Sequence, residues 1–291
     1  GGDILASEGK VTLSTALDNS GLEKGIKGIS GSLGGLENVV KKLGRTIASA
    51  FAVKAVATFF KQTVDAFAAY EQLAGGVETI FGESAAAVKA YAEDAFYTAG
   101  ASANEYMEAV TGFSASLISS LGGDTAKAAQ IANTAMVDMA DNANKMGTAV
   151  ESIRTAYQGF AKQNYTMLDN LKLGYGGTKT EMERLLADAQ TITGIKYDIS
   201  NLADVYTAIH VIQEKLGIAG ATAAEAEKTI SGSAAMTAAA WKNVLAAISG
   251  GGDLDKAINN LVFSISKYFE NIVPVVERAL AGVGRLIEQV A

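Results

Sequence analysis

Cysteine is missing from the 291 residues, and proline, histidine and tryptophan occur once each. Without cysteine there are no disulfides, no thiolate nucleophile and no cysteine-ligated zinc. That fits a reducing compartment, although many secreted bacterial proteins share the trait. A single histidine, His210, rules out zinc sites built from several histidines. Any Ser-His-Asp arrangement would have to centre on it, and no Gly-x-Ser-x-Gly elbow is present to meet it. Almost no proline leaves long helices uninterrupted, and aromatics at 7% beside abundant alanine favour closely packed helices over sheets. Long apolar runs are scarce as well. The most apolar stretch, Ile47 to Phe60 ("IASAFAVKAVATFF"), is broken by Lys54 and falls short of the roughly 20 residues that span a bilayer.

What is present is an acidic, alanine- and glycine-rich chain: net charge −7, 49% hydrophobic and 31 glycines. The charge is unevenly placed. Residues 1–61 hold eight Lys/Arg against five Asp/Glu, and the remainder holds sixteen against twenty-six. An acidic body repels phosphate backbones, so sequence-specific nucleic-acid binding is not expected. The opening "GGDILASEGK" has neither an initiating Met nor an apolar signal segment, so the expectation is a processed start or a segment of a longer protein.

Ser or Thr followed three residues later by Glu recurs at Ser20/Glu23, Ser102/Glu105, Thr148/Glu151, Thr180/Glu183 and Thr222/Glu225. Each pair has the spacing of a capping box, in which the hydroxyl and the carboxylate satisfy two amides left open at a helix start. Helical stripes follow. One is Tyr106, Val110, Phe113 and Leu117. A second runs from Ala128 through Ile131, Ala135 and Val137 to Met139, opened by Asp124 or Thr125 and closed at Gly147. A third is Ile153, Tyr157 and Phe160, and a fourth runs Leu202, Val205, Ile209, Ile212 and Leu216. Glycines punctuate these segments, so neighbouring helices are expected to turn back on one another. The segment "GIKYDIS" alternates like a strand but has nothing to pair with, and reads as loop.

These patterns predict an all-α chain of helix-turn-helix hairpins in four parts. Residues 1–45 form a glycine-rich, weakly helical segment, 46–248 an alanine-rich helical region, 249–252 ("SGGG") a linker, and 253–291 C-terminal amphipathic helices. In the last part Ile258, Leu261, Val262, Ile265, Tyr268 and Phe269 make a stripe, and Pro274 either kinks or restarts the helix.

Chemistry is sparse. "GYGGTKT", Gly174 to Thr180, resembles a phosphate loop at first sight, but Lys179 follows Thr178 rather than glycine. Met167, Leu168, Leu171 and Leu173 upstream read as the end of a helix, not a strand. The stretch is better read as a joint, with Gly174, Gly176 and Gly177 ending one helix and Thr180 capping the next. It is therefore a candidate hinge or partner contact. His210 reads as a flanking, partly exposed residue. Glu93/Asp94, Asp138/Asp141 and Glu181/Glu183 are acids near one another; Asp138 and Asp141, three apart, would share a helix face and could bind a cation or serve as acid and base, and a solvated helix face is the simpler reading. Met136, Met139 and Met146 read as core filling or a partner surface. No cofactor is expected.

Three stretches carry a resemblance: "YQGFAKQNYTMLDNLKLGYGGTKTEMERLLADAQ", "YDISNLADVYTAIHVIQEKLGIAGATAAEAEKTISGS" and "AAWKNVLAAI". They closely resemble the tape measure proteins of long-tailed bacteriophages and prophages, especially those of Firmicutes hosts. The likeness runs from about Tyr70 to Ile248, and "VTLSTALDNSGLEKGIKGIS" is similar too. The resemblance implies a multi-copy, mostly helical, non-enzymatic protein in the virion tail lumen, made in the host cytoplasm. It would set tail length, nucleate tail-tube assembly and leave on DNA ejection. The partners implied are further copies of itself, the tail-tube, tail-tip and tail-assembly chaperone proteins, and the host membrane at ejection. As one helix the chain would reach only about 440 Å, shorter than such proteins generally are, so a segment, or else an unusually short member, is expected. The competing expectation is a membrane-active helical protein, a pore former or DNA-entry channel. In that reading Ile47 to Phe60 or Ile258 to Phe269 inserts, with Phe51, Val53, Val56, Phe59 and Phe60 touching lipid.

Overall fold

The computed structural model describes residues 53–290, with side chains described for 61–278. Its elements are α1 (Val53–Phe81), a 3-10 turn (Gly82–Ser84), α2 (Ala85–Thr98), α3 (Ala103–Ser120), α4 (Thr125–Met146) and α5 (Val150–Phe160). A second 3-10 turn (Leu168–Leu171) leads to α6 (Lys179–Thr193), α7 (Leu202–Lys215), α8 (Ala221–Ala226), α9 (Ile230–Ile248) and α10 (Leu254–Val290). The fold is all-α. Among the described residues there is no strand, and "GIKYDIS" is loop as expected.

Helix α3 shows how sequence becomes packing. Ser102 caps it with the full reciprocal box: its hydroxyl accepts from the Glu105 amide at 3.3 Å, and Glu105 Oε2 accepts from the Ser102 amide at 2.8 Å. The cap aims the stripe Tyr106, Val110, Phe113 and Leu117 inward, and all four are buried. They meet α1, α2 and α4, and the same core takes in Ile153, Tyr157 and Phe160 of α5 and Leu202, Val205, Ile209 and Ile212 of α7. Each such side chain contributes about 1.5–3 kcal/mol by leaving water. Aromatic rings join three helices at one place. Phe113 of α3 meets Tyr206 of α7 edge-on at 5.3 Å, and Tyr206 lies 5.0 Å from Tyr157 of α5.

Alanines set the spacing elsewhere. Ala128, Ala132 and Ala135 of α4, and Ala239 and Ala240 of α9, are fully or almost fully buried, which lets helix axes approach closely. Helices α9 and α10 form a hairpin against α1 and α2, tied down by Asn243 Oδ1 accepting from the Ala103 amide at 2.8 Å and by Lys256 pairing with Glu93 and Asp94. The "SGGG" stretch is the joint of that hairpin, with Gly250 and Gly252 at positive φ. Helix α10 runs through Pro274 as one element and does not restart there. Met136 and Met139 are core filling, and Met146 packs at the core's edge.

Several expected details differ. Asp124 caps α4 and Gly147 ends it in the left-handed conformation, as the sequence suggests. Thr148 is not the cap of α5, however. Ala149 holds that place, and the Thr148 hydroxyl donates to the Asn170 carbonyl at 3.1 Å. Thr222 does not cap α8, which starts after Gly220. Leu216 is the C-cap of α7 and is exposed rather than buried. Ser20/Glu23 and Phe51 lie outside the described residues.

Candidate functional site

The charged residues closest to a constellation lie where α4 faces α7 and α8. Asp138 and Asp141, three apart on α4, are both buried, at 1% and 0% exposure. They do not act together. Asp138 Oδ1 meets His210 Nδ1 of α7 at 2.8 Å, and the far side of that ring faces Glu214 Oε1 at 3.4 Å. Asp141 accepts from the amides of Gly220 and Thr222 at 2.6 and 2.7 Å, so it does the capping for α8 that the Thr222 side chain does not. Asn142, one turn beyond Asp138, donates to the Leu171 carbonyl at 2.9 Å, tying the second 3-10 turn to α4. Gln213 donates to the Tyr157 hydroxyl at 3.3 Å, and the Tyr206 hydroxyl donates to the Tyr157 carbonyl at 2.8 Å.

The electrostatics follow from burial. Desolvation pushes the Asp138 carboxyl above its ordinary value against the opposing pull of His210. The hydrogen bond to Asp138 raises His210, outweighing the desolvation of its ring. Burial drives Tyr157 and Tyr206 far up, so both stay protonated. Asp138 Oδ2, Asn142 Oδ1, Gln213 Oε1 and Thr222 Oγ1 are buried without a hydrogen-bond partner. The layer joins four helices and a turn through polar contacts inside an otherwise apolar core.

This arrangement holds helices together. Two surface clefts, one lined by Tyr70, Asn243 and Lys256 and the other by Ser116, Ser119 and Gln163, include neither carboxylate. Among the described residues no group of three or more His, Asp or Glu is placed to hold a metal. His210 is partly exposed, as its flanking position suggests, with 30% of its side chain in solvent. Its partner, 72 residues away, left no mark in the local pattern.

The "GYGGTKT" stretch is a folded loop clamped to α6. Helix α5 ends at Phe160, well before it, and Leu168 and Leu171 belong to a 3-10 turn, so these glycines do not end an amphipathic helix as the spacing suggests. Thr178, not Thr180, is the cap: its hydroxyl accepts from the Glu181 amide at 3.2 Å, and Thr180 lies inside the first turn of α6. Gly174 takes φ +88°, and a Cβ on Gly177 would sit 2.3 Å from the Thr166 carbonyl oxygen. Tyr175, nearly buried, lies under the Arg184 guanidinium at 4.3 Å, and its hydroxyl donates to Asp188 at 2.8 Å. Glu181 accepts from the Gly176 amide at 3.0 Å and Arg184 donates to the Gly174 carbonyl at 2.8 Å.

A third feature is the far half of α10. Ala257, Ser264 and Asn271 line the face turned to α9, where Asn271 donates to the carbonyls of Glu227 and Thr229 at the start of that helix. Beyond that point α10 outruns α9, and Val273, Val275 and Val276 are exposed at 38%, 40% and 48%. Beside the α9-facing stripe, Ile258, Val262, Ile265, Phe269, Ile272 and Val276 alternate at four and three residues, and the same alternation continues in sequence through Ala279, Val283, Leu286 and Val290. That is the spacing of a coiled-coil seam.

Of the candidate lipid-contact residues, Val53, Val56, Phe59 and Phe60 fall within α1, but their side chains lie outside the described set. No helix among the described residues is long and apolar enough to cross a membrane. No known protein family, curated protein or solved structure matched the chain.

Proposed function

We propose that the chain is a structural segment of a phage tail tape measure protein. It would act through helix packing and self-association rather than catalysis. The observation that carries the reading is the long ordered resemblance between about Tyr70 and Ile248, which covers helices α1 to α9. The α10 seam supports it, because a half-exposed four-three apolar alternation suits lateral bundling of several copies. Tail-tube and tail-tip subunits are the further partners, and the tail lumen is the place of action.

A ruler works by contour length, and here the helices double back. Residues 53–290 drawn out as helix would reach about 360 Å at 1.5 Å per residue. The folded form contributes far less, so length-setting requires the hairpins to open. The "GYGGTKT" loop serves as a hinge in that process only if the Tyr175, Glu181 and Arg184 clamps release.

A second reading, a membrane-active helix, draws on the exposed valines of α10 and on the amphipathic pattern around them. The two separate experimentally. Purified chain should bind tail-tube or tail-tip subunits and leave liposomes intact. Leakage of liposomes without binding to tail subunits would favour the membrane reading instead.

A further inference from the structure

We propose that the Asp138–His210 contact is a proton-held latch that keeps α7 and α8 folded against α4, tight while the pair keeps its proton and weakened when the proton is lost. The inference stands on the geometry of this layer and holds whether or not the chain works in a phage tail.

Asp138 is buried on α4, and one of its oxygens is engaged by His210 Nδ1 of α7 at 2.8 Å. Its other oxygen, Oδ2, is buried with no donor. A charged carboxylate held that way is costly unless a cation or a proton sits on it. His210 supplies the cation. With the ring protonated, both nitrogens donate, one to Asp138 and the other toward Glu214 at 3.4 Å. With the ring neutral, Nδ1–H still donates to Asp138, but the contact toward Glu214 is lost, and so is the positive charge that offsets the buried carboxylate.

The charges facing the pair make the change matter. On α4 itself Asp141 lies one turn away, holding the start of α8. On α7 there is Glu214, and on α8 Glu225 takes up Lys145 of α4 at 3.6 Å. From α5 the Tyr157 hydroxyl faces the layer as a neutral group. Counting Asp138, Asp141 and Glu214 against a protonated His210, the layer carries −2, and deprotonation takes it to −3. No cation among these groups replaces the lost charge, because Lys145 is already paired with Glu225. The ring is open to solvent over 30% of its side chain, so protons can exchange without prior unfolding.

The upward displacement of both members agrees with this. A histidine raised in the folded state contributes stability that is fully present below its unfolded value near 6.5 and is lost as pH rises through the folded value. A raised carboxyl acts in the same sense, since the folded state holds the proton more tightly. The latch therefore loosens toward alkaline pH, the reverse of the usual behaviour of paired carboxylates.

The test uses the full chain, where His210 is the only histidine and its Cε1–H resonance reports one titration. Proton NMR should place that titration above 6.5. Hydrogen exchange, corrected for the intrinsic pH dependence, should show amides of 202–226 losing protection through the same pH range, tenfold for each unit by which His210 is raised. Amides of α3 should stay protected. His210→Gln keeps a donor toward Asp138 but removes the imidazole, so its α7–α8 protection should lose the step that follows the His210 titration. Asp138→Asn should lower the His210 titration. Should Asp138→Asn fail to fold, His210→Gln alone decides. Protection that ignores the His210 titration, or that falls equally in His210→Gln, overturns the latch.

Discussion

Asp141 on α4 holds the first turn of α8 from 79 residues away, its two oxygens accepting from the amides of Gly220 at 2.6 Å and Thr222 at 2.7 Å. One carboxylate thus does for α8 what a local capping side chain does elsewhere. Asp141→Ala strands both amides next to a buried surface. The expected loss is about 2–4 kcal/mol, since hydrogen bonds to charged groups contribute about 1.5–3 kcal/mol and the orphaned donors add to the cost. Urea unfolding should show a lower midpoint with an unchanged slope. Asp141→Asn keeps one acceptor and should lose less.

The Tyr206 hydroxyl reaches the Tyr157 carbonyl inside the aromatic cluster. Tyr206→Phe preserves the edge-on ring contact with Phe113 and removes one of two bonds to the Tyr157 carbonyl, which still accepts from the Ala161 amide at 3.2 Å. Destabilisation of about 0.5–1.5 kcal/mol is expected. Tyr206→Leu should cost more, because the ring contacts go as well. Thermal melting of the two variants checks the order.

Glu105 predicts an acid sensitivity of its own. Burial works to raise its carboxyl, but the bonds from Lys242 and from the Ser102 amide and hydroxyl outweigh that and hold it below the ordinary glutamate value. A depressed carboxyl contributes stability that is present above its unfolded value near 4.5 and is lost as pH falls through the folded value. Glu105→Gln should therefore lower the melting temperature at pH 7, with an effect that shrinks as pH falls below 4.5. Ser102→Ala should cost about 1 kcal/mol on both sides of that pH, mostly through the lost cap.

Gly177 is where the "GYGGTKT" loop passes closest to its neighbour. Gly177→Ala places a methyl group against the Thr166 carbonyl, and overpacking of that kind costs about 1–3 kcal/mol. Gly176→Ala meets only Glu181 Cγ at 3.5 Å, an ordinary contact, and should be nearly neutral. Denaturation midpoints of the pair distinguish a loop held by close approach from one that merely needs freedom.

The outcome at these residues shows where local pattern is enough. The Ser102/Glu105 box, the Asp124 cap and the Gly147 terminator follow from interactions within four residues, and each is visible in sequence. Thr148, Thr180 and Thr222 have the same spacing but do not cap, because Ala149, Thr178 and Gly220 occupy the cap positions. In the case of Thr222 a distant carboxylate takes over its amide. The Asp138–His210 contact depends on α4 lying beside α7, and no periodicity in either helix encodes that. The "GYGGTKT" glycines read as a turn in sequence, and Gly174 does take a positive φ, but the loop's anchoring to α6 rests on Tyr175 folding under Arg184. The glycines alone do not reveal that contact.

The α10 seam gives the partner prediction. Val276→Glu places a charge in the exposed apolar alternation without touching the α9 contact, so the fold should persist while self-association weakens. Sedimentation of the purified chain across a range of concentrations checks this. Association unchanged by the substitution would move the interface elsewhere.

Tail length in the parent phage tests the central claim most directly. An in-frame deletion of residues 103–215 should shorten tails by about 170 Å, the helical contour of the removed segment at 1.5 Å per residue. Tails of unchanged length, measured by electron microscopy of negatively stained virions, would contradict a ruler role for this body.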